Sequence, residues 1–145
     1  MKRTDPFIKA ALLAGTAGGS AEILWIAAYT RVTQTSGIDV AREVTATLFP
    51  AAAELATAPL LGIAIHMGLS LVLGLVLAKM LLGFARGSLM SAALAALACV
   101  WALNFLVVLP VANPAFVMLM PLAVTLASKL LFGAALGWTL RRCSA

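Results

Sequence analysis

Polar and apolar positions along this chain do not alternate; they segregate into long apolar blocks separated by short polar connections. Four blocks stay predominantly apolar for roughly 20 residues or more, the length a helix rising about 1.5 Å per residue needs to cross a hydrocarbon core of about 30 Å. They cover residues 7–30, 58–79, 88–110 and 115–140. Backbone in hydrocarbon must satisfy its own hydrogen bonds, and these runs lack the two-residue alternation of barrel strands, so the pattern predicts helices. The third and fourth are joined by LPVANP, residues 109–114, whose two prolines and asparagine predict a tight helical hairpin.

The segment between the first two blocks has a different pattern. TSGIDVAREVTATLFP places Val40, Ala41, Val44 and Leu48 on one helical face and Asp39, Arg42 and Glu43 on the other, with Asp39 as the expected cap. It predicts a short amphipathic helix over residues 38–49 that lies at the membrane surface and covers the bundle, a reading favoured over a partner-binding helix. The expected fold is therefore all-α: an integral membrane four-helix bundle, one transmembrane domain over residues 1–145, with a short interfacial helix between helices one and two.

Composition supports this. The chain is 63% hydrophobic and only 10% charged, with a mean hydropathy of +1.09, whereas a soluble domain has about a quarter of its residues charged. The net charge of +5 does not point to nucleic acid, because the basic residues sit at the ends of apolar runs and form no patch interleaved with aromatics. Lys2, Arg3 and Lys9, then Lys79 and Arg86, then Arg141 and Arg142 all fall on one side of a four-span topology. On the other side Arg31 and Arg42 are outnumbered by Asp39, Glu43 and Glu54. The bias of Lys and Arg toward the cytoplasmic side predicts both termini inside, in a cell inner membrane. MKRTDPFIKA followed by ALLAGTAGGSA has the basic start and small residues of a signal peptide, but the apolar stretch runs on through ILWIAAY and is read as the first span. Cys99 and Cys143 have no ligand spacing and no disulfide framework.

The second and fourth blocks share a pattern at an offset of 63 positions: His66, Ser70 and Gly74 fall on Lys129, Gly133 and Gly137. In each, small residues follow a polar side chain one and two turns later, as expected of a duplicated hairpin with closely packed helices. PLLGIAIHMGLSLVLGLVLAK, then VWALNFLVVLP, then PLAVTLASKLLFGAALGWTL resemble the pattern of small bacterial inner-membrane proteins grouped with the YagU-like family of unknown function. The likeness covers helices two to four. It implies a four-helix membrane fold and supplies no activity; where the family pattern has a His before FGxxLG this chain has Lys129, so His-based chemistry does not carry over.

Four polar residues stand within the expected spans: Glu22, His66, Asn104 and Lys129. A charge near a bilayer centre costs about 2.5–3.5 kcal/mol on insertion scales and normally finds a partner inside the bundle. Glu22 is the one acid in any span, on a face with Gly15, Gly18 and Gly19; Lys129 is expected to share a face with Met118, Thr125 and Gly133. Glu22 lies about 20 Å along a helix from Lys9, and Lys129 about 18 Å from Arg141, so the two are expected at one depth and in contact. His66 and Asn104, each about 10 Å below the outer surface, are expected to bond each other or Glu22. A structural pair that fixes helix register is favoured over a conducting site, and a packing histidine over a ligand.

No cofactor and no metal is expected. Met118 and Met120 are two apart on a helix and cannot both face one copper site, and no nucleophile, base and orienting acid share a recognisable spacing. Gly15-x-x-x-Gly19 and Gly133-x-x-x-Gly137 are helix-packing motifs that point to a homo-oligomer or a larger membrane complex. The expected role is a non-enzymatic accessory, assembly or structural subunit; the alternative is a small proton or cation transporter using Glu22 and Lys129, with His66 as an outer gate.

Overall fold

A computed structural model describes residues 6–81 and 83–143. Lys2 and Arg3, counted above among the orienting charges, lie outside the described residues. The first helix, α1, runs Pro6–Val32, with proline at the first helical position where its missing N–H costs nothing. Polar residues 33–36 stop it, and α2 follows over Gly37–Leu48. The cap of α2 is Ser36, whose hydroxyl accepts from the Asp39 N–H at 3.3 Å. Asp39 is not the cap: Gly37 and Ile38 are already helical, and its carboxylate sits in the first turn, where the helix dipole favours it.

A 3-10 turn at Pro50–Ala52 leads into α3, Ala58–Leu81. The next rod, α4, extends over Leu89–Ala112. Pro110 does not end it as expected. A wide turn over Asn104–Val108, in which the Leu109 N–H donates to the Asn104 carbonyl five residues back, makes room for the proline ring and lets the helix continue. The break comes at Asn113, which caps α5, Pro114–Leu119, by accepting from the Phe116 N–H at 3.0 Å. The expected fourth span, 115–140, is therefore two helices: Met120 and Pro121 are non-helical, and α6 begins afresh over Leu122–Cys143. The described chain is all-α, without a strand among the described residues, and α1, α3, α4 and α6 are each long and apolar enough to cross a membrane. Leu24 and Leu60, both 70% exposed, typify an outward surface of large apolar side chains, as a lipid-facing bundle requires.

α1 lies between α3 and α6, and α4 packs on the other side of α6. Close approach depends on glycine. A Cβ at Gly15 would stand 2.6 Å from the Ser70 carbonyl, and one at Gly74 would stand 2.5 Å from the Gly15 Cα. Cβ atoms at Gly133 and Gly137 would stand 3.2–3.4 Å from atoms of Ala93, Leu94 and Met90 of α4. All four glycines expected as packing residues, Gly19 against Ser70 included, are thus buried against helices of their own chain. Each half of the offset pattern uses its small residues on the helix preceding it in its own hairpin, α3 on α1 and α6 on α4. At the end carrying the 82–88 connection, Leu77, Leu81, Leu89 and Leu97 close a core with Phe132 and Leu136. Toward the other end, α3 and α4 line a cavity of about 580 Å³.

Candidate functional site

The floor of that cavity is built from three helices. Glu22 of α1 is 3% exposed, and the Lys129 ammonium on α6 stands 2.7 Å from one carboxylate oxygen and 2.8 Å from the other. Ser128 is within 3.1 Å of the same carboxylate and 2.9 Å of the Thr125 carbonyl; its single hydroxyl hydrogen serves one or the other. His66 of α3 brings Nε2 to 3.3 Å from the Gly19 carbonyl and 3.7 Å from Glu22. A carbonyl only accepts, so Nε2 carries the hydrogen in that contact. The ammonium also lies over the Phe132 ring, 5.8 Å from its centroid.

Two tryptophans hold the elements one turn further along. Trp25 donates to the Val124 carbonyl at 3.0 Å, tying α1 to the first turn of α6, and Trp101 donates to the Thr125 hydroxyl at 3.0 Å, tying α4 to it. The apolar face of α2, with Val40, Ala41 and Val44, walls the cavity where α1 stops. α2 is held at two places. The fully buried Thr45 donates to the Ala58 carbonyl at 2.6 Å, beside the point where Gly62 lets the Ala41 carbonyl approach α3. The Asn113 amide nitrogen stands 3.0–3.1 Å from the Glu43 carbonyl, the Glu43 carboxylate and the Thr47 hydroxyl, and its two hydrogens are shared among these three acceptors.

Of the sequence candidates, the structure brings together Glu22, Lys129 and His66. Asn104 lines the same cavity but bonds neither His66 nor Glu22 through its side chain, because α3 and α4 are separated by the cavity at this level. Met118 is not on the Lys129 face: it belongs to α5 and is 83% exposed, while Met120 is 1% exposed. Sequence reasoning missed Ser128, although it adjoins Lys129, and missed the role of Asn113, for which the Asn-Pro capping pattern was the available signal. Gly18, expected on the packing face of Glu22, faces Phe132: a Cβ there would stand 2.6 Å from the ring.

Chemically the arrangement is an ion pair with both carboxylate oxygens engaged, bordering the cavity and most open to it at the partly exposed His66 and Lys129 side chains, 24% and 16%. Beyond Phe132 and Ser70, toward the 82–88 end, the interior is Ala11, Ala14, Leu77, Ala78, Leu97 and Leu136. No titratable side chain among the described residues interrupts that apolar core. No family model, curated protein or solved structure matches this chain.

Proposed function

We propose that this chain is a non-enzymatic, multi-pass inner-membrane protein, an accessory or structural subunit in which Glu22, Lys129 and His66 lock the register of three helices. The observation that carries the reading is the apolar core beneath the ion pair. Conduction needs a polar or water-filled path on both sides of the charged site, and here the cavity serves one side while Phe132 and its alanine and leucine neighbours fill the other. With both carboxylate oxygens held by one ammonium, the pair is suited to fixing helix positions.

The orientation belongs to the same proposal. Lys9, Lys79, Arg86, Arg141 and Arg142 gather at one end of the four long helices, which supports a cytoplasmic location for that end and both termini. α2 then lies along the outer interface as a lid, apolar face inward. The likeness to the YagU-like family agrees with such a fold and adds no activity. Partners in a larger complex would meet the lipid-facing leucines, since the glycine faces are already occupied.

The second reading is a proton or cation transporter, favoured by the cavity that reaches the ion pair. Proteoliposomes carrying a potassium gradient, valinomycin and an internal pH dye separate the two. The structural role predicts proton entry no faster than in protein-free liposomes; entry abolished by Glu22→Gln would establish the transporter instead.

A further inference from the structure

A second recess lies at the opposite end from α2. Arg86 comes from the connection between α3 and α4, while Trp138, Arg141 and Arg142 come from the last turns of α6; together they line a hollow of about 330 Å³. The backbone around Arg86 is fixed by a tight turn, with the Ser88 N–H and hydroxyl both donating to the Ala85 carbonyl at 3.0 Å. Arg142 stands over the Trp138 ring at 5.1 Å. None of the three arginines is paired with an acid among the described residues.

Orienting the protein requires basic residues at this end, and the helix dipole favours cations in the last turn of α6, but neither requires Arg86 to converge with Arg141 and Arg142. The three permanently charged arginines around this hollow are exposed, so water screens their mutual repulsion; an anion seated among them would turn it into attraction. The hollow is at the level where α3, α4 and α6 end, the depth of lipid headgroups in a spanning bundle, and Trp138 is 57% exposed there with the apolar body and polar edge that favour an interface. Guanidinium forks match phosphate oxygens in pairs, and three of them suit more than one negative charge.

We propose that Arg86, Arg141 and Arg142, with Trp138 as a flanking ring, bind the phosphate headgroup of an anionic phospholipid, preferring a headgroup with two phosphates. The site is separate from the cavity at Glu22 and independent of what that cavity does.

Native mass spectrometry of the full chain in a nonionic detergent tests this, because without a charged bilayer surface only lipid held by the protein registers. Cardiolipin, phosphatidylglycerol, phosphatidylcholine and inorganic phosphate are the probes. Cardiolipin should bind most tightly, phosphatidylglycerol next and phosphatidylcholine least. The double variant Arg86→Gln with Arg141→Gln should weaken cardiolipin by about tenfold or more. Lys9→Gln with Lys79→Gln, which removes equal charge from the same end outside the hollow, should change it less than about twofold. Arg86→Lys with Arg141→Lys keeps charge and fold but loses the fork, and should still weaken binding several-fold. Equal loss from the two glutamine pairs, no loss in the lysine variant, or equal affinity for phosphatidylcholine would overturn the site. Displacement of cardiolipin by equimolar inorganic phosphate would overturn the lipid assignment in favour of a soluble phosphate.

Discussion

Alanine at Gly62 tests how α2 is seated over the cavity. A Cβ there would overlap the Ala41 carbonyl oxygen, with the Ala41 carbonyl carbon at 2.8 Å and the Thr45 hydroxyl at 3.1 Å. Two of the three obstacles are backbone, so α2 as a whole has to move. Overpacking of that kind costs about 1–3 kcal/mol. Displacing α2 also weakens the 2.6 Å bond from Thr45 to the Ala58 carbonyl, worth about 0.5–1.5 kcal/mol. Alanine returns about 1 kcal/mol of helix propensity. The expected net loss is about 0.5–3.5 kcal/mol. Gly68, on the same helix six residues on, has nothing within 4 Å of its would-be Cβ; the same substitution there should be neutral or stabilise by up to about 1 kcal/mol. Reversible unfolding in mixed micelles, followed by tryptophan fluorescence, measures both. Gly62→Ala equal to or more stable than Gly68→Ala would refute the seating of α2 on α3.

Asn113→Ala removes the cap of α5 and the amide that holds α2, and should cost about 0.5–2 kcal/mol; hydrogen exchange should quicken across residues 37–48, and unchanged exchange there would show that Asn113 does not hold α2. In a background with Cys99 and Cys143 replaced by serine, a cysteine at Gly37 should be labelled by an impermeant reagent from outside and one at Gly83 should not; labelling at Gly83 alone would reverse the orientation. Gly15→Leu, whose Cβ meets the Ser70 carbonyl, should unfold or fail to assemble the bundle itself. A folded monomer released from a cross-linkable dimer would place that glycine between copies.

The spans were legible because lipid imposes a length and an apolar composition on any crossing helix, and those survive in one sequence. The meeting of Glu22 and Lys129 followed from scarcity and depth: one acid in the spans, one mid-span lysine, equal distances from the basic end. What was not legible depends on partners distant in sequence. Whether Pro110 ends a helix turns on whether the ladder can widen by one residue, and Asn104–Val108 does so. Pro121, with the same local signature, does break the chain and carries Met118 off the Lys129 face. The glycine spacing was visible but not its address: small-xxx-small fits a neighbouring helix or a second copy equally well, and that Gly15 faces Ser70 and Gly133 faces Ala93 emerges only from the tertiary packing. Asn113 read as a turn residue, and nothing local to it reveals Glu43 and Thr47, 70 and 66 positions away.

The structural role of the ion pair is tested most directly by a double-mutant cycle of unfolding with Glu22→Gln, Lys129→Met and their combination. Lys129→Met leaves a carboxylate that is 3% exposed without its cation, and Glu22→Gln leaves the ammonium facing Phe132 and the cavity without its anion. Each single change should destabilise the bundle strongly, because an uncompensated buried charge replaces a paired one. The combined variant should recover much of the loss, with a coupling of about 0.5–3 kcal/mol. Additive effects, within about 0.3–0.5 kcal/mol, would contradict the lock and leave the ion pair without a role in holding the helices together.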